Sequence, residues 1–196
     1  MPNIAIMATS GGSGKDTIAD YIMRELSDEQ HIKKSLGQPI HELAEEFATG
    51  HVERHHLQDL GESMRSIFGE NTWINKLDKS LNDEEPVIIP DIRKLLEFSH
   101  YVVEKNYFPL YIKVDSEVAK NRLMKRDGGY NQEDLKRNIE KQMNFIESLP
   151  TKAIEDGHGL EKVTNSGVFN NIYIINNSGS FDKTKKQLKK WWELIG

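Results

Sequence analysis

Lys15 closes a glycine-rich run, Gly11-Gly12-Ser13-Gly14, and is followed by Asp16 and Thr17. Backbone N–H groups of such a run, together with the first turn of a helix, converge on an anion. A lysine at this point reaches the outer oxygens of a bound polyphosphate. The full pattern is G-x-x-x-x-G-K-[ST], and the chain departs from it twice: Thr9 stands at the first glycine and Asp16 at the hydroxyl position. Glycine is required only where φ is positive or where a Cβ would block the ligand, so Gly11, Gly12 and Gly14 still allow a phosphate cradle. A carboxylate beside a triphosphate is repelled unless a cation lies between them. Magnesium takes few protein ligands and several waters, so Asp16 or Thr17 would hold it through its hydration shell.

Three other groups carry chemistry. Asp91 ends an apolar run, where open α/β sheets present residues to ligand, and its carboxylate suits magnesium or an acceptor. Arg93, two residues on, offers a planar fork for phosphate; the alternative is that both residues begin the next helix. Arg122 and Arg126, four apart, share a helical face just before Asp127-Gly128-Gly129, which is either a solvated basic face or an arginine pair beside a closing lid. Asn176, Asn177, Ser178 and Gly179 follow the last apolar run, where backbone groups could face a base. The cluster of His51, His55 and His56 near Glu53 matches no zinc spacing and is read as a polar loop.

The elements that must position these groups alternate short apolar runs with segments of helical period, the signature of a parallel sheet with crossover helices. Strands are expected at Asn3 to Ala8, Ile32 to Leu36, Val87 to Ile89, Leu110 to Val114 and Ile172 to Asn176. Helices are expected at Asp16 to Leu26, Arg93 to Lys105, Ser116 to Arg126, Gln132 to Ser148 and Asp182 to Leu194. The stretch from Gly37 to Glu85 holds about three helical pieces and no strand, which suggests a lobe over one end of the sheet. Pro150 to Asn170 exceeds the roughly 12–15 residues of an ordinary loop and reads as a flap or a short hairpin. Leu188, Trp191, Trp192 and Ile195 recur at helical spacing in the tail, fitting a helix docked on the sheet or lying on a membrane surface.

One domain follows from 196 residues, and a formal net charge of −5 gives no global field to draw the chain to nucleic acid. Any anion site must be local. There are no cysteines, which removes disulfides and thiolate zinc sites. The first residues lead straight into an apolar strand, and no apolar run approaches 18 residues, so a cytoplasmic protein without membrane partners is expected. Self-association as a homodimer is left open.

"SGKDTIAD" resembles the phosphate loop of the phage-type deoxynucleoside monophosphate kinases and of the related animal-type phosphomevalonate kinases. In adenylate kinases, too, the hydroxyl residue follows Gly-Lys by one extra position, as Thr17 does. "LQDLGESMRSIFGENTWINKL", "VIIPDIR" and "IYIINNSGSFDKTKKQL" resemble later segments of the same family, in the expected order. The chain departs where Gly11 replaces a lysine carried by some members and where Pro90 precedes Asp91.

The resemblance implies a three-layer α/β kinase fold with a five-stranded parallel sheet. It further implies an acceptor-binding helical insert over residues 37–85 and a lid and flap over 122–170. It implies γ-phosphoryl transfer from magnesium ATP to a deoxynucleoside monophosphate, with Lys15, Asp91, Arg122 and Arg126 catalytic. ATP would lie on Gly11, Gly12, Ser13, Gly14, Lys15, Asp16, Thr17 and Asn176, and magnesium near Asp16, Thr17 and Asp91. Arg65 and Arg93 would hold the acceptor phosphate, and Gln58 and Trp73 its base, with a place in the core as the other reading of Trp73. A kinase of the same fold for phosphomevalonate or dephospho-coenzyme A, and a regulatory module that binds ATP without transfer, are the alternatives.

Overall fold

A computed structural model describes residues 1–8, 11–28, 30–82, 84–127, 151–153 and 172–195. The strands are β1 (Ile4–Ala8), β2 (Ile32–Lys33), β3 (Val87–Ile92), β4 (Phe108–Lys113), β5 (Thr151–Ala153) and β6 (Ile172–Asn176). They form one sheet in the order β2-β3-β1-β4-β6-β5, and every pairing is parallel. The five expected strands are present, and β5 adds a sixth at the edge. Because β5 runs parallel to β6, those three residues are not one arm of a hairpin with it. Residues 154–171, and the helix expected at Gln132 to Ser148, lie outside the described residues.

Side-chain alternation builds the layers. Ile4 and Ile6 of β1 point to one face and Ala5 and Met7 to the other, as the two-residue period of a strand requires. On the Ile4 face, α1 (Lys15–Tyr21), which continues as a π-helical turn (Ile22–Leu26), supplies Ile18, Ala19 and Ile22. The tail helix α7 (Phe181–Ile195) docks beside it through Leu188 and Trp191, both fully buried, so the tail belongs to the core. The Met7 face is covered by Trp73, Ile74 and Leu77 of α4 (Thr72–Asp78) and by Phe98 and Tyr101. Phe98 closes α5 (Leu95–Phe98), which runs on as a π-helical turn (Ser99–Glu104) containing Tyr101.

Between β2 and β3 the chain makes the three expected helices: α2 (Gln38–Phe47), α3 (Arg54–Phe68) and α4. Pro39 starts α2, where a missing N–H costs nothing. Glu53 caps α3: its side chain accepts the N–H of His56, and its own N–H is donated to His56 Nδ1 at 3.1 Å. With His55 3.2 Å from Glu53, two of the three clustered histidines are therefore occupied at a helix start.

β4 starts two residues before its expected position and ends one before, at Lys113, while β2 and β3 differ from expectation for one shared reason. β3 continues past Ile89 through Pro90 to Ile92, and its register against β1 slips, with Ala5 opposite Ile89 but Met7 opposite Ile92. Proline has no N–H for the ladder, and the extra residue is accommodated as a bulge. The neighbouring Asp91 carboxylate accepts the N–H groups of Leu36 at 3.0 Å and Gly37 at 2.8 Å. Those residues leave the sheet to meet it, so β2 is two residues long and not five.

Candidate active site

The glycine-rich loop between β1 and α1 is gripped from two sides. Gly12 and Gly14 have φ of 75° and 80°, a region that only glycine occupies readily. A Cβ on Gly12 would lie 2.4 Å from the Ala119 carbonyl of α6 (Ser116–Asp127), and one on Gly14 would lie 2.6 Å from Asn177 Nδ2. Gly14 also begins α1, its carbonyl accepting the Ile18 N–H at 3.0 Å, so the helix N-terminus opens on the loop. Lys15 extends from that first turn, with Nζ 2.7 Å from Asp16 Oδ2. Asp16 is 62% exposed, and the contact between adjacent residues on the surface is easily exchanged for another anion.

Asn177 and Arg122 hold the loop in place. Asn177 Nδ2 donates to the Ser13 carbonyl at 2.7 Å and Asn177 Oδ1 accepts the Thr184 hydroxyl at 2.7 Å. Arg122 donates to the Asn177 carbonyl at 2.9 Å and stands 3.5 Å from that of Gly12. Arg122, expected beside a lid, has its guanidinium against the loop; Arg126, one turn on, is exposed and makes contacts of its own. Asn176, expected at the nucleotide, accepts the Ser178 N–H and exchanges backbone bonds with Gln187. Its neighbour Asn177 is the residue that reaches the loop. Thr9 and Ser10 lie outside the described residues.

A second charged cluster lies where α3 meets the residues that follow β3. Arg65 lies 2.9 Å from Glu62 and 3.4 Å from Glu97. Lys94 lies 3.1 Å from Glu62 and 3.7 Å from Glu70. Glu97 accepts the N–H groups of Arg93 and Lys94 at 2.8 and 2.9 Å. Burial pushes the Glu97 carboxyl above the usual range, against those two N–H groups and Arg65, which favour its charged form. The carboxylates differ in freedom: Glu62 and Glu70 are 55% and 68% exposed, Glu97 only 6%. Glu62 and Glu70 can be displaced by an incoming anion, whereas Glu97 is fixed. The Arg93 side chain is exposed.

Three expected acceptor residues are placed differently from one another. Gln58 is on α3 between the loop and the charged cluster, and its Oε1 is buried without a hydrogen-bond partner among the described residues. A buried acceptor of this kind takes its donor from water or from a ligand. Trp73, by contrast, is core: its indole N–H is donated to the Gly61 carbonyl at 3.1 Å and its ring packs with Leu36 and Ile74. Asp91 is buried and already accepts from Ser35 Oγ at 2.7 Å as well as from Leu36 and Gly37, so its carboxylate shapes the loop that begins the insert. No group of three or more acidic, histidine or cysteine side chains able to hold a metal ion occurs among the described residues. Asp16 and Thr17, exposed beside Lys15, fit a magnesium ion held mostly by phosphate and water, while Asp91 fits it poorly.

One face of α3 joins the two regions. Arg54, Gln58, Glu62 and Arg65 recur at four, four and three residues, so they form a polar stripe along the helix. The stripe starts at the glycine-rich loop, where Arg54 lies beside Gly11, and ends at Glu97. Sequence reasoning missed Arg54 at the loop, the Asn177 side-chain bond to Ser13, and Glu62, Glu70, Lys94 and Glu97 in the charged cluster. Arg54 sits inside the histidine cluster, whose polarity hid it, and Asn177 is distinguished from Asn176 only by the fold.

No protein-family model matches the chain, and no curated protein sequence does. Among solved structures it is similar to a gluconokinase from Sinorhizobium meliloti 1021, at 14% identity and a TM-score of 0.56, covering 99% of this chain and 93% of that one. It is similar also to TT1252 from Thermus thermophilus, at 14% identity and a TM-score of 0.53, covering 100% and 98%. At this identity the likeness is one of fold: the three-layer parallel α/β architecture extends over nearly the whole length of each chain.

Proposed function

We propose that the protein is a phosphotransferase that moves the γ-phosphoryl group of magnesium ATP to a phosphorylated small molecule, with a deoxynucleoside monophosphate as the acceptor. The observation that carries this reading is the glycine-rich loop itself, with two glycines at positive φ, a helix N-terminus, Lys15 in the first turn and a rigid bracket of Asn177 and Arg122. Preorganised amides of this kind lose little on binding a polyphosphate. Lys15 would exchange Asp16 for the β- and γ-phosphates. Magnesium, when bound, would neutralise charge developing on the phosphate oxygens; Asp16 and Thr17 would hold its water shell.

The second cationic region supports transfer over simple nucleotide binding. Arg65 and Lys94 lie together at the opposite end of α3, Arg93 precedes Lys94 with its side chain exposed, and the exposed carboxylates of Glu62 and Glu70 occupy the place a phosphate would take. Arg65 presents its fork to that phosphate, while Gln58 Oε1 accepts an N–H from the base. Little covalent work is left to the protein, since positioning and electrostatics carry such reactions. Arg126 would meet the transferring group from α6, the insert over 37–85 would carry the acceptor, and 122–170 would form the lid.

The test is incubation of the purified protein with magnesium ATP and a panel of acceptors, following ADP. The panel holds the deoxynucleoside monophosphates, phosphomevalonate, dephospho-coenzyme A and gluconate, with Lys15→Ala as control. ADP formed with a deoxynucleoside monophosphate supports the reading. Turnover with one of the other acceptors moves the substrate assignment to it. ATP binding without turnover for any acceptor, or no ADP above the control, overturns the reading.

A further inference from the structure

Of the three described glycines in the loop, Gly12 and Gly14 are required by their backbone, but Gly11 is not, since its φ is not positive. The space around it explains the missing side chain. A Cβ on Gly11 would lie 3.3 Å from Arg54 Nη1, 3.5 Å from Arg54 Nη2 and 3.3 Å from Leu123 Cδ2. The guanidinium of Arg54, carried on the first turn of α3, thus lies directly against Gly11, so close that a side chain at position 11 would have to shift it by a few tenths of an ångström. Asp16 meanwhile sits on Lys15, so the loop's own cation is partly neutralised.

We infer that Arg54 is a catalytic residue: a cis-acting arginine finger, delivered by the helical insert across Gly11 to the γ-phosphate of the bound nucleotide. The inference rests on the kinase reading above. A guanidinium forms two parallel N–H···O bonds to phosphate and stays charged at any working pH. Its five donors let it reach a phosphate oxygen while keeping the other contacts it makes in the protein. Phosphoryl transfer spreads charge over the equatorial oxygens, and an arginine positioned there stabilises the transition state more than the ground state. The attacking acceptor oxygen forms its bond to the γ-phosphorus as the bond to the β–γ bridging oxygen breaks, ADP leaves with that oxygen, and Arg54 changes no covalent bond.

The experiment compares wild type with Arg54→Gln, Arg54→Lys and the double variant Gly11→Lys with Arg54→Gln, measuring kcat, the KM for ATP, ATP affinity by calorimetry and thermal melting. Arg54→Gln is expected to lower kcat on the order of 10³-fold, the scale of an arginine finger, with ATP affinity changed less than about tenfold. A cation returned from position 11 or by Arg54→Lys should recover at least a tenfold part of that loss. Arg54→Gln retaining kcat within about tenfold of wild type overturns the inference and leaves the kinase reading standing. A loss that neither cation recovers reduces Arg54 to a structural residue and also overturns it. If wild type itself makes no ADP with any acceptor, the kinase reading falls and Arg54's role falls with it.

Discussion

The side-chain amide of Asn177 spans from the Ser13 carbonyl, 2.7 Å from its Nδ2, to the hydroxyl of Thr184, 2.7 Å from its Oδ1. The glycine-rich loop is thereby fastened to the tail helix, and all three side chains are buried. Asn177→Ala leaves a buried carbonyl and a buried hydroxyl unpaired, an expected loss of about 1–3 kcal/mol for each unsatisfied group. Asn177→Asp keeps the acceptor for Thr184 but turns a carboxylate on the Ser13 carbonyl and the phosphate loop. Thermal melting should rank wild type above both variants, and calorimetry should show the weakest ATP binding for Asn177→Asp.

Glu62 and Arg65 should act in opposite directions on the acceptor. Glu62→Gln releases Arg65 and Lys94 from a half-exposed carboxylate, so the KM for a phosphorylated acceptor should fall severalfold with little change in stability. Arg65→Ala should raise that KM by tenfold or more, and it also removes the cation nearest the buried Glu97. Steady-state kinetics at saturating ATP checks both, and a KM that moves the same way in the two variants contradicts the assignment.

His31 makes folding stability depend on pH near neutrality. Its Nε2 donates to the Pro2 carbonyl at 2.8 Å, so in the neutral ring Nδ1 carries no proton, and that atom is buried without a partner. Burial holds His31 below its ordinary value of 6.5, with the Pro2 bond acting the other way. A depressed histidine contributes stability that is fully present above pH 6.5 and is lost as pH falls toward the folded value. The slope is at most about 1.4 kcal/mol per pH unit. Denaturation midpoints of wild type and His31→Gln, which keeps an N–H donor, should diverge between pH 8 and roughly pH 5.5, with the variant's curve flatter.

Asp78 should contribute in the acidic range. Burial acts to raise its carboxyl, but hydrogen bonds and charge from Lys105 and His100 more than offset this, and the net shift is downward from 3.8. The stability it provides is therefore present above its ordinary value and lost as pH falls through the folded one. Tyr101, whose hydroxyl donates to Asp78 at 3.1 Å, is held protonated by burial and by the Asp78 charge. Urea titrations should show a gap between wild type and Asp78→Asn that is present above about pH 5 and narrows below it.

The sheet was legible because its strands are apolar runs of the right length between turn signals, and the glycine-rich loop was legible because its backbone chemistry is local. What failed to show was everything set by contacts between distant residues. Pro90 reads as the end of a strand, yet a bulge lets β3 pass through it to Ile92. Asp91 reads as a ligand at a strand end, yet it takes two N–H groups from residues more than fifty positions away. Arg122 and Arg126 share a helical face in either reading, and only the packing of Ala119 and Leu123 against Gly12 shows that the first of them faces the loop. Trp73 reads either as core or as a base contact, and its burial with the indole N–H on the Gly61 carbonyl is the core outcome.

Because Arg54, Gln58 and Arg65 ride on one helix, α3 would work as a lever in the proposed reaction. Eleven residues separate its outer two arginines, roughly 16 Å of helix axis. A small tilt that draws Arg65 onto an acceptor also displaces Arg54 at the loop, with no relay of side chains between them. The two substrates of such an enzyme should bind with positive synergy, each tightening the other, and fastening α3 against the sheet should abolish the synergy before it abolishes either affinity.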